Sequence, residues 1–325
     1  MRRSIGDLLS RDEVRMLSRR SNVRGAVAVL VTWAVIGGVL AGLAHAVTLP
    51  LPLAIPAFVL GLVILGGRHL ALAILHHEAA HKSLFATSWL NDAVGDWLCA
   101  RPVWNHLGKY RAHHLKHHAR TNQPDDPDLS LIAPFPVRRS SLRRKLWRDA
   151  LGISGLKFLI GHVLQSAGAI AYTVSSDVVR LPRTPWWQYV TRFVRNSAGM
   201  VLTNAVLVAI LALAGHAWLY AVWVLAYVTP YPLFLRIRSL AEHACTARTE
   251  DLFENTRTTR AGLLARATVA PIRVNYHLEH HALPAVPFYR LPALHRLLRE
   301  RGAPEPPSYR DVLRIVSTRP AQAAR

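Results

Sequence analysis

Apolar positions along this chain gather in long unbroken runs instead of alternating with polar ones. Residues 26–47 (AVAVLVTWAVIGGVLAGLAHAV) contain no charged side chain. As a helix rising about 1.5 Å per residue, they are long enough to cross roughly 30 Å of hydrocarbon. A second run covers 51–65 and continues past Arg68 and His69 to residue 75, and two more lie at 198–213 and 218–235. A buried soluble helix would explain 51–75 taken alone, but its neighbour of similar length argues against that. A signal peptide would explain 26–47, but its apolar core is too long and no small-residue cleavage pattern follows. The pattern therefore predicts an all-α integral membrane protein, with four transmembrane helices in two hairpins.

Charge supplies the orientation. The connections 48–52 and 215–217 carry no charged residue, whereas residues 1–25 hold Arg2, Arg3, Arg11, Arg15, Arg19, Arg20 and Arg24. The positive-inside bias then places the amino terminus, the middle of the chain and the carboxyl terminus in the cytoplasm, with a bacterial inner membrane as the expected location. Residues 151–174 are apolar enough to cross as well. A single crossing there would export the basic run Arg180, Arg183, Arg192 and Arg195, so the segment is expected to be interfacial or re-entrant.

Composition restricts the alternatives. The chain of 325 residues is 51% hydrophobic and 18% charged, yet its 40 Lys and Arg against 19 Asp and Glu give +21. Its mean hydropathy is +0.17. Disorder is excluded by the apolar content. A nucleic-acid-binding role fits the charge but not the apolarity, and no nucleic-acid partner is expected. Two cysteines, Cys99 and Cys245, exclude a disulfide scaffold, a cysteine zinc site and an iron–sulfur cluster.

The 17 histidines carry the chemistry. His77-Glu78-Ala79-Ala80-His81 ends the second apolar run, His114-Leu115-Lys116-His117-His118 follows it, and His277-Leu278-Glu279-His280-His281 follows the fourth. On a helix, residues three and four apart share a face, so His77 and His81 can bind one metal, and each H-x-x-H-H presents three imidazoles to one side. Adjacent histidines diverge by about 100° on a helix, so His117/His118 and His280/His281 can feed two neighbouring metals. These eight imidazoles exceed what one ion uses, but imidazole alone does not distinguish zinc, copper, iron and nickel. His76 and His113 flank the boxes and are candidate supporting residues. His45 and His216 lie at the far membrane edge, and His69 is a polar residue facing neighbouring helices. His106 and His162 lack partners at useful spacing, and His295 has no assigned role.

The three boxes HEAAH (77–81), HLKHH (114–118) and HLEHH (277–281), with the string NYHLEHHALPAVPFYRLPALHRLL (275–298), resemble the membrane fatty acid desaturase family. The resemblance covers about 24–299 and implies a membrane desaturase-like domain at 26–299, between cytosolic segments 1–25 and 300–325. It implies a helical cytosolic cap holding two non-haem irons on the eight box histidines, with O2 as co-substrate. Family members often add a histidine after the fourth span, and His243 in RSLAEHA is the matching ninth ligand. Arg238 and Glu242 beside it stand at i, i+4, where an ion pair can form. Asp125, Asp126 and Asp128 are candidates either for orienting ligand histidines or for an exposed acidic turn.

The resemblance implies desaturation of a fatty acyl chain, acyl-lipid or acyl-thioester. A hydroxylase or ketolase of fatty, alkane or carotenoid chains would use the same site. A membrane zinc hydrolase is a remote alternative kept open by Glu78 and Glu279, and a transporter is disfavoured because the histidines lie outside the spans. No haem motif or paired C-x-x-C is present for a fused electron carrier, so a separate donor is expected, a ferredoxin or a cytochrome b5-like protein with its reductase. Residues 100–150 hold eleven cations against four anions. That excess suits an acidic carrier or anionic lipid headgroups.

Overall fold

Helices form every extended element among residues 5–318, the part of the chain that the computed structural model describes; Arg2, Arg3 and the end of the tail, 319–325, lie outside it. Four helices are long and apolar enough to cross a membrane: Asn22–Ala46, Leu51–Ala80, Trp186–Leu213 and Leu219–His243. Three of them overrun the apolar stretches that announce them. The second span continues into the first histidine box as far as Ala80, the third begins two turns before Arg192, and the fourth runs on to His243. Backbone hydrogen bonding proceeds past the point where side chains turn polar, so hydropathy marks the membrane and not the helix.

The second span is the hub, packed against the first span, the fourth span and the helix Leu107–Arg120. Its first half exposes Leu51, Leu53, Ile55, Val59 and Leu60, whereas Leu65, Leu70, Leu72 and Leu75 are fully buried. The first and third spans expose Val27, Leu30, Val31, Val194, Leu202, Val206 and Ile210 in the same way. So large an apolar surface needs hydrocarbon around it, and the protein is an integral membrane protein. Close helix approach depends on two glycines of the second span. A Cβ on Gly66 would meet the Pro230 ring at 2.6 Å, and one on Gly67 would meet the Ala267 carbonyl oxygen at 2.0 Å. Pro230 also marks a break in the fourth span, where Thr229 leaves helical geometry at φ −110°, ψ −82°; proline supplies no amide hydrogen to the ladder.

Within 151–174 the helix is Ile153–Ala167, which stops at Gly168 in the left-handed region (φ +73°). Its 15 residues extend about 22 Å, short of a crossing. It lies against the third and fourth spans, with Asn196 donating to the Ser166 carbonyl at 2.8 Å, and it turns Leu156, Ile160 and Val163 outward.

Beyond the ends of the spans opposite to the two short turns, a cap is built from Leu107–Arg120, Arg139–Ala150, His277–Ala282, Leu291–Glu300 and Tyr309–Ser317. The amino-terminal helix Arg11–Leu17 starts at a capping box, Ser10 with Glu13, and adds Leu17 to the cluster of Leu291, Leu294 and Leu298. Arg301 clamps this helix by pairing with Glu13 at 2.5 Å. Asp149, fully buried, pairs with Arg236 and accepts from Ser154, which ties Arg139–Ala150 to the fourth span.

Candidate metal centre

Four chain segments bring their histidines to one buried place. His77 lies in the last turn of the second span and His81 caps it, His114, His117 and His118 come from Leu107–Arg120, and His243 is the last residue of the fourth span. His277, His280 and His281 come from the short helix His277–Ala282, and all but His81, His118 and His281 are buried outright. The ring nitrogens sort into two lobes. His77, His81, His114, His118 and His280 place one nitrogen each within 4.8 Å of one another, as do His117, His243 and His281, with His277 joined to the second group through His243 and Glu242.

The adjacent pairs split as helical geometry requires. His118 and His280 turn to the five-histidine lobe, His117 and His281 to the four-histidine lobe, and the seam is the stacked His118 and His281 rings, 4.0 Å between centroids. The nine predicted histidines are thus all brought together. Nε2 atoms approach head to head: His114 and His118 at 3.0 Å, His118 and His280 at 3.1 Å, His243 and His277 at 2.7 Å. Two nitrogens sharing one ion at about 2.1 Å stand roughly 3.0–3.4 Å apart. Several more nitrogens are buried with no hydrogen-bond partner, among them Nε2 of His77, His81 and His281. Buried polar atoms are seldom left so, and a set of converging, unpaired imidazoles fits a pair of metal ions.

Electrostatics agree. Burial, and then the neighbouring imidazoles, push His114, His118, His280 and His281 well below the ordinary histidine range, and burial brings His81 to about 4. Rings held neutral at pH 7 are in the form that binds metal. His117 differs: burial lowers it, but the hydrogen bond it donates to Asp126 and the charge of Asp128 outweigh that and raise it.

Carboxylates hold several of these rings in place. Asp126 Oδ1 meets His117 Nδ1 at 2.8 Å, Asp128 holds His113 Nε2 at 2.8 Å, and Asp125 pairs with exposed Arg120 at 2.8 Å. The acidic turn thus divides between both roles considered for it. Arg238 and Glu242 form the expected ion pair at 2.7 Å, buried against the site. His113 is committed to Asp128, and His76, packed edge-on to Tyr110 at 4.3 Å, belongs to neither lobe. His69 is fully buried in the membrane domain, 3.9 Å from the Trp223 ring, with its Nδ1 on the Leu65 carbonyl.

The carboxylates that kept a hydrolase open are engaged elsewhere. Glu78 accepts from the Ser83 hydroxyl and the Phe288 amide, both at 3.0 Å, and Glu279 is bound by Thr258 and by His295 Nδ1 at 2.6 Å. Three features went unforeseen in the sequence. Arg111 donates to the Ala79 and Ala80 carbonyls at the end of the second span and to Asp92, tying the first box to the second. Tyr110 stacks on His114 at 5.1 Å, and Glu242 reaches to 3.4 Å from His277 Nδ1. Spacing four residues before His114 could have flagged Tyr110; the other two are contacts between distant segments.

A helical membrane domain crowned by a polyhistidine centre that could hold metal defines the class: a membrane-embedded protein of the histidine-box type. Comparison with known proteins identifies it further. Residues 52–312 match the fatty acid desaturase family, and the chain belongs to that family. It is similar to dihydrorhizobitoxine desaturase of Bradyrhizobium elkanii, 26% identical over 245 residues, covering 71% of this chain and 65% of that protein. The chain therefore spans a little under two thirds of that relative's length.

Proposed function

We propose that the protein is an O2-dependent desaturase of fatty acyl chains, working at a diiron centre on the cytoplasmic face of the membrane. The observation that carries this reading is the division of nine histidines into lobes of five and four beside four apolar helices. His77, His81, His114, His118 and His280 would hold one iron, and His117, His243, His277 and His281 the other. When bound, such a pair supplies an oxidant strong enough for an unactivated C–H bond, made from O2 and electrons. Overall, two hydrogens leave adjacent carbons and O2 takes them up with two electrons and two protons, leaving as two waters. The name of the matched relative, a desaturase, favours double-bond formation over the hydroxylase or ketolase that the same ligands would serve.

The chain's own residues prepare that site. Neutral imidazoles present lone pairs without first losing protons, Asp126 accepts a hydrogen bond from His117 Nδ1 and so turns its Nε2 into the lobe, and Arg111 holds the two boxes in register. Apolar side chains around the first box, Leu75, Ala79 and Phe85, keep water from its inner side. An acyl chain enters from the bilayer, between the spans and the cap.

Electrons come from a separate acidic carrier, a ferredoxin or cytochrome b5-like protein with its reductase. The surface best suited to it is a groove of about 370 Å³ between Arg139–Ala150 and Tyr309–Ser317. Arg139, Arg143, Arg310 and Arg314 line it around Leu142, Leu146 and Leu313, and Leu142 packs with Leu240, Ala241 and Ala244 next to His243. The test is elemental analysis of protein purified from iron-supplied cells. About two irons per chain are expected, falling in His118→Ala; a chain that takes up zinc in place of iron, or no metal, overturns the reading.

A further inference from the structure

The two lobes are backed differently. In the four-histidine lobe, His117 Nδ1 has Asp126 at 2.8 Å and Asp128 at 3.8 Å, and His277 Nδ1 has Glu242 at 3.4 Å. His281 Nδ1 meets the Thr121 hydroxyl at 3.1 Å. In the five-histidine lobe, the carboxylate within 4 Å of a ring nitrogen, among the described residues, is Glu78, at 3.8 Å from His77 Nδ1. That carboxylate is already engaged by Ser83 and the Phe288 amide. Asp126 is itself immobilised: it is buried and accepts from the Asn122 amide at 2.7 Å and the Asp128 amide at 2.9 Å.

We propose that the four-histidine lobe is the tighter metal site, that it fills first, and that Asp126 is the positioning residue that makes it so. The proposal rests on the two-metal reading above. A carboxylate on the far nitrogen of a ligating imidazole fixes the ring and raises its basicity, and losing it commonly costs 10–100-fold in metal affinity. The five-histidine lobe has one more nitrogen. A divalent ion buried among neutral imidazoles, however, keeps its charge uncompensated, and that burial is costly. Asp126, Asp128 and Glu242 offset the cost on one side only, even with Arg238 paired to Glu242.

The test uses the full-length protein in detergent, stripped by a chelator and titrated with Co(II), with bound metal counted and visible absorbance followed. Wild type should bind two equivalents in unequal steps. His81→Ala, in the five-histidine lobe, should lose the weaker step and keep the tighter one unchanged. Asp126→Asn should weaken the tighter step by about 10–100-fold and leave the weaker one in place. Survival of that weaker step shows that the variant is folded, and Asp126→Glu should recover part of the affinity. Loss of the tighter step in His81→Ala, or an unaltered tighter step in Asp126→Asn, overturns the proposal. Fewer than two equivalents in wild type would overturn the two-metal reading itself, and this proposal with it.

Discussion

Substituting alanine for His76 and for its neighbour His77 separates two kinds of buried histidine. His77 opens into the five-histidine lobe, while His76 packs on Tyr110 outside both lobes. His77→Ala should lose about one of its two irons and all turnover; His76→Ala should keep its iron and lose only stability, both read by metal analysis beside a melting curve. The box spacing carried this distinction, because residues 77 and 81 share a helical face and 76 does not. The sorting of His117 from His118 and of His280 from His281 was legible for the same reason. The contacts of Glu242 with His277 and of Arg111 with Ala79 were not, since they join segments 35 and 32 residues apart in the chain. A second prediction concerns Glu13, whose carboxyl is brought from 4.5 to about 2, first by the hydrogen bond from Arg301 and then by the Ser10 amide. A depressed carboxyl stabilises docking of the amino-terminal helix at pH above 4.5, and that contribution disappears as pH falls towards 2. Hydrogen exchange of residues 11–17, corrected for intrinsic rates, should accelerate through that window in wild type. In Glu13→Gln it should be faster at neutral pH and lack the acid-dependent step.

Among the elements, the approach of the second span to the segment around Ala267 is the most exacting. Gly67 leaves no room for a side chain because the Ala267 carbonyl oxygen would stand 2.0 Å from its Cβ, and backbone cannot swing aside as a side chain can. Gly67→Val should destabilise the folded protein by about 1–3 kcal/mol or more and lower its iron content, measured by denaturant unfolding in detergent and by metal analysis. Gly37, in the first span, meets nothing within 4 Å, and Gly37→Val should be nearly silent in both measurements. Hydropathy located all four spans but not their ends, since Trp186–Leu213 carries Arg192 and Arg195 in its first turns while its hydrogen-bond ladder continues unbroken. It also could not tell that 151–174 folds back. That depends on Gly168, which reaches φ +73° without strain and stops the helix after 15 residues.

At the scale of the whole molecule, the tension between a 51% apolar chain and a charge of +21 has a spatial form. Apolar side chains cover the outside of the spans, and cations surround the cap that holds the histidines. The cytoplasmic cap expected from the charge asymmetry is testable at Cys245, which is exposed, against Cys99, which is buried. A membrane-impermeant maleimide should label Cys245 in inverted vesicles and not in intact spheroplasts, and should leave Cys99 unlabelled in both. Labelling from outside would reverse the orientation. The reaction itself was the part least legible in the residues, because desaturation and hydroxylation call for the same ligands and differ in where the acyl chain lies. Mass spectrometry of the lipids made by a host expressing the protein, with a compatible ferredoxin and its reductase, addresses that directly. Acyl products lighter than their precursor by two hydrogens are expected, absent from cells carrying His118→Ala. Products heavier by one oxygen, or the same products from His118→Ala, would contradict the proposed function.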